Sequence, residues 1–108
     1  MAATAPPSSQ SASRPLRTGI IGYGLAGRVF HAPFVASDPA FDLVVIATSD
    51  AGRQRDAQER YSAVEVAGTP EELLAGAFDL DLVVLASPPH AHREQGIAAL
   101  AAGAAVVV

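Results

Sequence analysis

Apolar residues gather in short, nearly unbroken runs along the chain: Leu16 to Ile21, Phe41 to Ala47, Val64 to Val66, Asp81 to Ala86, and a last one, "AAVVV", that reaches Val108. Runs of this length, bounded by glycine, proline or polar residues, describe strands buried on both faces of a parallel sheet. The segments between them are helical in character. One begins near Leu25, and its pattern predicts a helix that carries Val29, Phe30 and Phe34 toward the sheet, kinked or shortened by Pro33. Asp38-Pro39 disfavours its continuation and supplies a turn. Ala51 to Arg60 is polar and helix-compatible. "TPEELLAG" starts a brief helix, with Thr69 able to cap, Pro70 at the first helical position and Glu72 completing a capping box, and should end near Gly76. A last helix is expected from about His90 to Ala102, stopped by Gly103. Strands alternating with helices give an α/β fold with right-handed crossovers.

In such a sheet ligands sit beyond the carboxyl ends of the strands, so the residues just after each apolar run are the candidates for chemistry. After the first run comes "GIIGYGLAGRVFHAPF", with Gly22, Gly24 and Gly27 spaced as GxGxxG. Gly22 permits a tight turn, Gly24 lets a pyrophosphate approach the backbone, and Gly27 allows close helix packing. The amides around Leu25 and Ala26 open the helix and would hydrogen-bond phosphates. GxGxxG alone is weak; following a strand and opening a helix, it reads as a Rossmann-type dinucleotide-binding turn.

After the second run comes "ATSDAGR". An NAD site usually has an acid about 20 residues past the last glycine, on the ribose 2′-hydroxyl. That position is close to Thr48, which is neutral. Thr48 and Ser49 can donate to a 2′-phosphate and Arg53 can pair with it, which favours NADP. Asp50 could still serve the ribose of NAD, and Ser49-Asp50 could instead be a helix cap with Arg53 a solvated charge. After the fourth run, "SPPHAH" offers Ser87 and the stiff Pro88 as a wall beside the nicotinamide ribose.

Composition narrows the remaining possibilities. A net charge of −4 and an apolar half suit a soluble globular domain and give no electrostatic reason to expect nucleic acid or an anionic membrane as partner. Cysteine is absent, which removes disulfides, thiolate zinc sites and a cysteine nucleophile. All seven basic residues are arginine, so lysine chemistry cannot occur within the chain. His90 and His92 are wrongly spaced for a zinc site on one helical face. His31 reads as a packed or rim residue. Neither a GxSxG elbow nor a Walker-type phosphate loop occurs. No apolar run is long enough for a transmembrane span, and the opening lacks the apolar core of a signal peptide, which points to the cytoplasm. Rich in Ala, Ser and Pro, residues 1–14 read as a disordered tail, leaving 15–108 as the dinucleotide-binding domain.

From Leu16 to Val108 the chain resembles the glucose-fructose oxidoreductase/inositol dehydrogenase (Gfo/Idh/MocA) family, on "GIIGYGLAGRVFHAPF" together with "DLVVLASPPHAHREQGIAALAAGAAVVV". The resemblance implies an NAD(P)-dependent oxidoreductase acting on sugars, polyols or similar carbinols. It also implies a Ser/Thr-Pro followed by a histidine near the cofactor, matched here by Ser87, Pro88 and His92. Family members follow the fifth strand with a Glu/Asp-Lys-Pro motif carrying a catalytic lysine, then a large substrate-binding α/β domain. Val106 to Val108 stand where that motif would begin. The expectation is a truncated nucleotide-binding half, its sheet incomplete at the C-terminal end, with cofactor contacts, no catalytic residue and a tendency to self-associate. A non-catalytic module binding a dinucleotide or a partner protein is the alternative, and a methyltransferase a weaker one.

Overall fold

The computed structural model describes residues 14–75 and 77–108. Of the expected tail over 1–14, residues 1–13 lie outside the described residues, as does Gly76, near which the third helix was to end; Arg14 is described and pairs with Asp81. Strand β1 is Leu16–Ile21, followed by a helical stretch whose first part, Ala26–His31, is π-helical and whose second, α1, is Ala32–Ser37. Then come β2 (Phe41–Ala47), α2 (Ala51–Arg60), β3 (Glu65–Ala67), α3 (Pro70–Leu74) and β4 (Leu82–Leu85). A 3-10 turn over Pro89–Ala91 leads into α4 (His92–Ala101), and β5 is Ala105–Val107. β1, β2 and α2 lie where the sequence pattern puts them. β3 begins one residue later than expected, and Pro89 makes the entry to the last helix a 3-10 turn.

The five strands form one parallel sheet in the order β3-β2-β1-β4-β5. Strand order reverses between β1 and β4, which opens a crevice above their carboxyl ends. Adjacent residues of each central strand feed opposite core layers, because side chains alternate along a strand. Ile21, Val45 and Val83 pack with Leu73 of α3 and Ala99 of α4, whereas Ile20, Ile46 and Val84 pack with Val35 of α1 and Ala57 of α2. The helices meet the sheet largely through alanines, so the strand residues carry most of the buried apolar area, at roughly 1.5–3 kcal/mol for each large side chain.

The first helix differs from its expected orientation. Gly27, Ala32 and Val35 are its buried residues, while Val29, Phe30 and Phe34 are exposed, Phe30 by 64%. The cause is local. A methyl on Gly27 would overlap the Gly22 carbonyl oxygen, so the helix can approach the turn only along its small residues. Pro33 neither breaks nor ends it. Having no N–H, it sits just after the widened turn, where Ala32 N–H reaches back five residues to the Gly27 carbonyl. The capping box of α3 also forms with a small shift: Glu72 N–H donates to Thr69 Oγ1 (3.1 Å), while the Glu72 carboxylate accepts from Gly68 N–H rather than that of Thr69.

At the opposite edge of the sheet Asp81 joins the starts of β1 and β4. It accepts from Arg17 N–H (2.9 Å) and from the Arg14 guanidinium (3.1 Å), and these bonds hold its carboxyl below the usual carboxylate range.

Candidate dinucleotide-binding site

Backbone bonds tie the strand ends together at the rim of the crevice. Gly22 N–H donates to Ala47 (2.9 Å), Ala86 N–H to Ile21 (2.9 Å) and Thr48 N–H to Ala67 (3.0 Å). The chain can turn at once after β1 because Gly22 adopts φ +103°, and a methyl there would lie 2.8 Å from the Ala86 carbonyl carbon and the Ser87 nitrogen. Gly22 and Gly27 are thus both packed against backbone. Gly24 is not: a methyl at that position would meet only Arg53 Nη1, at 3.9 Å. Of the three glycines, the second alone faces open space.

That space is a groove of about 680 Å³. Gly22, Gly24 and Leu25 form its floor after β1, Thr48, Ser49 and Arg53 one wall after β2, and Ser87 and Pro88 the other after β4. Leu25 precedes the helix with no side chain capping it, so the first helical N–H groups are left for a ligand. A pyrophosphate fits this arrangement. It needs backbone approach without side-chain obstruction and amide donors, which Gly24 and the amides of Leu25 and Ala26 could supply.

Three candidates are not part of the groove lining. Ala26 is the first residue of the helical stretch, Gly27 lies beneath Gly22, and His92 is hydrogen-bonded through Nε2 to the Ser87 carbonyl, steadying the wall rather than lining it. Asp50 caps α2 by accepting Arg53 N–H at 2.9 Å and is not part of the groove lining, in keeping with the cap reading of that residue. His31 also lies away from it. Among the described residues no cluster of three or more His, Cys, Asp or Glu could hold a metal, and no helix is long and apolar enough to cross a membrane.

Sequence reasoning missed three contributors. Gln95 lines the groove and accepts a hydrogen bond from the Ser87 hydroxyl. The loop after β3 brings Gly68, Thr69 and Glu71 to the far wall. The rule that singles out residues after strands one, two and four applies equally to strand three and would have found them. Tyr23, between the first two glycines, is 1% exposed, and its hydroxyl donates to Asp56 Oδ2 at 2.7 Å. Nothing in the sequence signals that pairing.

The profile of an oxidoreductase family described as an NAD-binding Rossmann fold, GFO_IDH_MocA, matches residues 16–108. The chain belongs to this family. The resemblance carried by the two long stretches is therefore borne out, and so is the Rossmann-type sheet. Among curated relatives, the Escherichia coli protein called "Uncharacterized oxidoreductase YdgJ" is 38% identical over 86% of this chain and 26% of its own length. The Bacillus subtilis scyllo-inositol 2-dehydrogenase (NADP(+)) IolW is 31% identical over 86% of this chain and 25% of its own length. Among solved structures, the scyllo-inositol dehydrogenase of Lactobacillus casei with bound NAD(H) and scyllo-inositol superposes with a TM-score of 0.75 at 27% identity, over 86% of this chain and 27% of that one. The chain thus spans about a quarter of the length of these Gfo/Idh/MocA proteins. The part it corresponds to is the NAD-binding Rossmann fold.

Proposed function

We propose that this chain is the cofactor-binding portion of a cytoplasmic, NADP-preferring oxidoreductase acting on a sugar, polyol or related carbinol, with neither nucleic acid nor membrane as a partner. The observation that carries the NADP preference is the Arg53 guanidinium beside Gly24, on the wall that Thr48 and Ser49 complete, while the neighbouring carboxylate of Asp50 is engaged as a helix cap. In this reading the amides of Leu25 and Ala26 hold the pyrophosphate over Gly24. Gly22 and Gly27 keep the turn close to the helix, and Thr48, Ser49 and Arg53 take the 2′-phosphate. Ser87 and Pro88, braced by His92, border the nicotinamide ribose. When bound, the nicotinamide supplies the hydride chemistry. These residues bind and orient; none of them is assigned a proton-transfer role.

The substrate class rests on family membership and on relatives named for scyllo-inositol. The cofactor preference is tested with Arg53→Ala. Losing a charge-assisted contact to phosphate should weaken NADPH binding roughly tenfold or more and leave NADH within about twofold. Equal effects on both cofactors, or none on NADPH, would overturn the preference.

A further inference from the structure

Arg53 is useful to a ligand anion only if no carboxylate of its own helix claims it first. Asp56 lies three residues further along α2, the spacing that brings side chains together on one helical face. Yet the ion pairs among the described residues join Arg14 to Asp81, Arg17 to Asp42 and Arg60 to Asp56, and none involves Arg53. The Asp56 carboxylate is held from two other sides. Arg60 Nε donates to Oδ1 (3.2 Å), and Tyr23 Oη donates to Oδ2 (2.7 Å). Tyr23 is fixed in turn, buried among Ile20, Val35 and Ile46. Its burial and the neighbouring carboxylate push the phenol up, so it remains a donor at neutral pH. The phenol bond, then Arg60 and more weakly Arg28, draw the Asp56 carboxyl down, so it is charged at neutral pH.

We infer that Tyr23 is a positioning residue for cofactor specificity: it reaches from the glycine turn to hold Asp56 away from Arg53, which leaves Arg53 open to the 2′-phosphate. This rests on the NADP reading above. Adjacent residues of the turn then face α2 with different tasks. Tyr23 engages the competitor, and Gly24 leaves room beside the cation that is kept free.

The test is a double-mutant cycle on the 108-residue chain, with NADPH and NADH titrated separately and folding followed by circular dichroism. Tyr23→Phe keeps the ring and removes the donor, and should weaken NADPH about two- to fivefold, the size of a partly exposed ion pair, without changing NADH. Adding Asp56→Asn removes the competing charge and should restore NADPH binding to the parent level. A purely structural role for Tyr23 would weaken both cofactors and would not be rescued by Asp56→Asn, and that result would overturn the inference, as would unchanged NADPH binding in Tyr23→Phe. Should Tyr23→Phe not fold, Arg60→Gln releases Asp56 from its exposed side. The same selective loss and rescue are expected from it, and an unselective or unrescued change counts against the inference. Failure of the NADP reading itself is seen separately, as Arg53→Ala binding NADPH like the parent.

Discussion

Gly22, Gly24 and Gly27 share one motif but differ in what a methyl group would meet, and that difference is measurable. Gly22→Ala forces an L-residue to φ +103° against the Ala86-Ser87 backbone and should cost at least about 1–3 kcal/mol in urea unfolding. Gly24→Ala should leave the unfolding midpoint almost unchanged, because only the flexible Arg53 tip is near, yet weaken cofactor binding by filling the approach to the backbone. Equal destabilisation by both would contradict the division of labour among the three. The motif was legible in the sequence because glycine advertises backbone geometry. Tyr23 and Gln95 were not, because their roles depend on partners 33 and 8 residues away that no local pattern marks.

The helix after the glycine turn shows where periodicity misleads. Val29, Phe30 and Phe34 are apolar at helical spacing, which is what a buried face looks like, but the close approach of Gly27 to Gly22 and the wide turn before Pro33 bury Ala32 and Val35 instead. Small residues define the packing face here, and hydrophobicity patterns undervalue them. The strands were read correctly because burial on both faces leaves an apolar run that tolerates few interpretations. Between β1 and β4, Asp81 gives the fold an acid-sensitive joint. Its pKa is depressed in the folded state, so it contributes stability above its ordinary value of 3.8, and that contribution is lost as pH falls through the lower folded value. Asp81→Asn should therefore flatten the decline of unfolding free energy between about pH 5 and pH 1. A parent and a variant with parallel pH profiles would remove Asp81 from that role.

Over the whole molecule, large apolar side chains stand exposed along the stretch that opens and continues the first helix. Leu25, Phe30 and Phe34 are 69%, 64% and 60% exposed on the stretch that follows the glycine turn. Large exposed apolar groups of this kind favour association, so the isolated chain should bind a hydrophobic dye and sediment partly as oligomers. Phe30→Ser with Phe34→Ser should reduce both signals, and a parent chain that is strictly monomeric and dye-free would contradict the expectation. The fold class, the order and approximate positions of the strands and two walls of the groove were readable because they follow from apolar runs and the residues closing them. The third wall, from Gly68 to Glu71, was missed because Thr69 and Pro70 read as a helix start, a structural role that hid their place on the rim. The proposed dinucleotide site at these strand ends, with a β2 wall that selects the 2′-phosphate, is tested by a calorimetric titration of the folded chain with NADPH and, separately, with NADH. Saturable binding of both, tighter for NADPH, is the expected result; binding of NADH with equal or greater affinity would contradict the selectivity, and binding of neither by a folded chain would contradict the site.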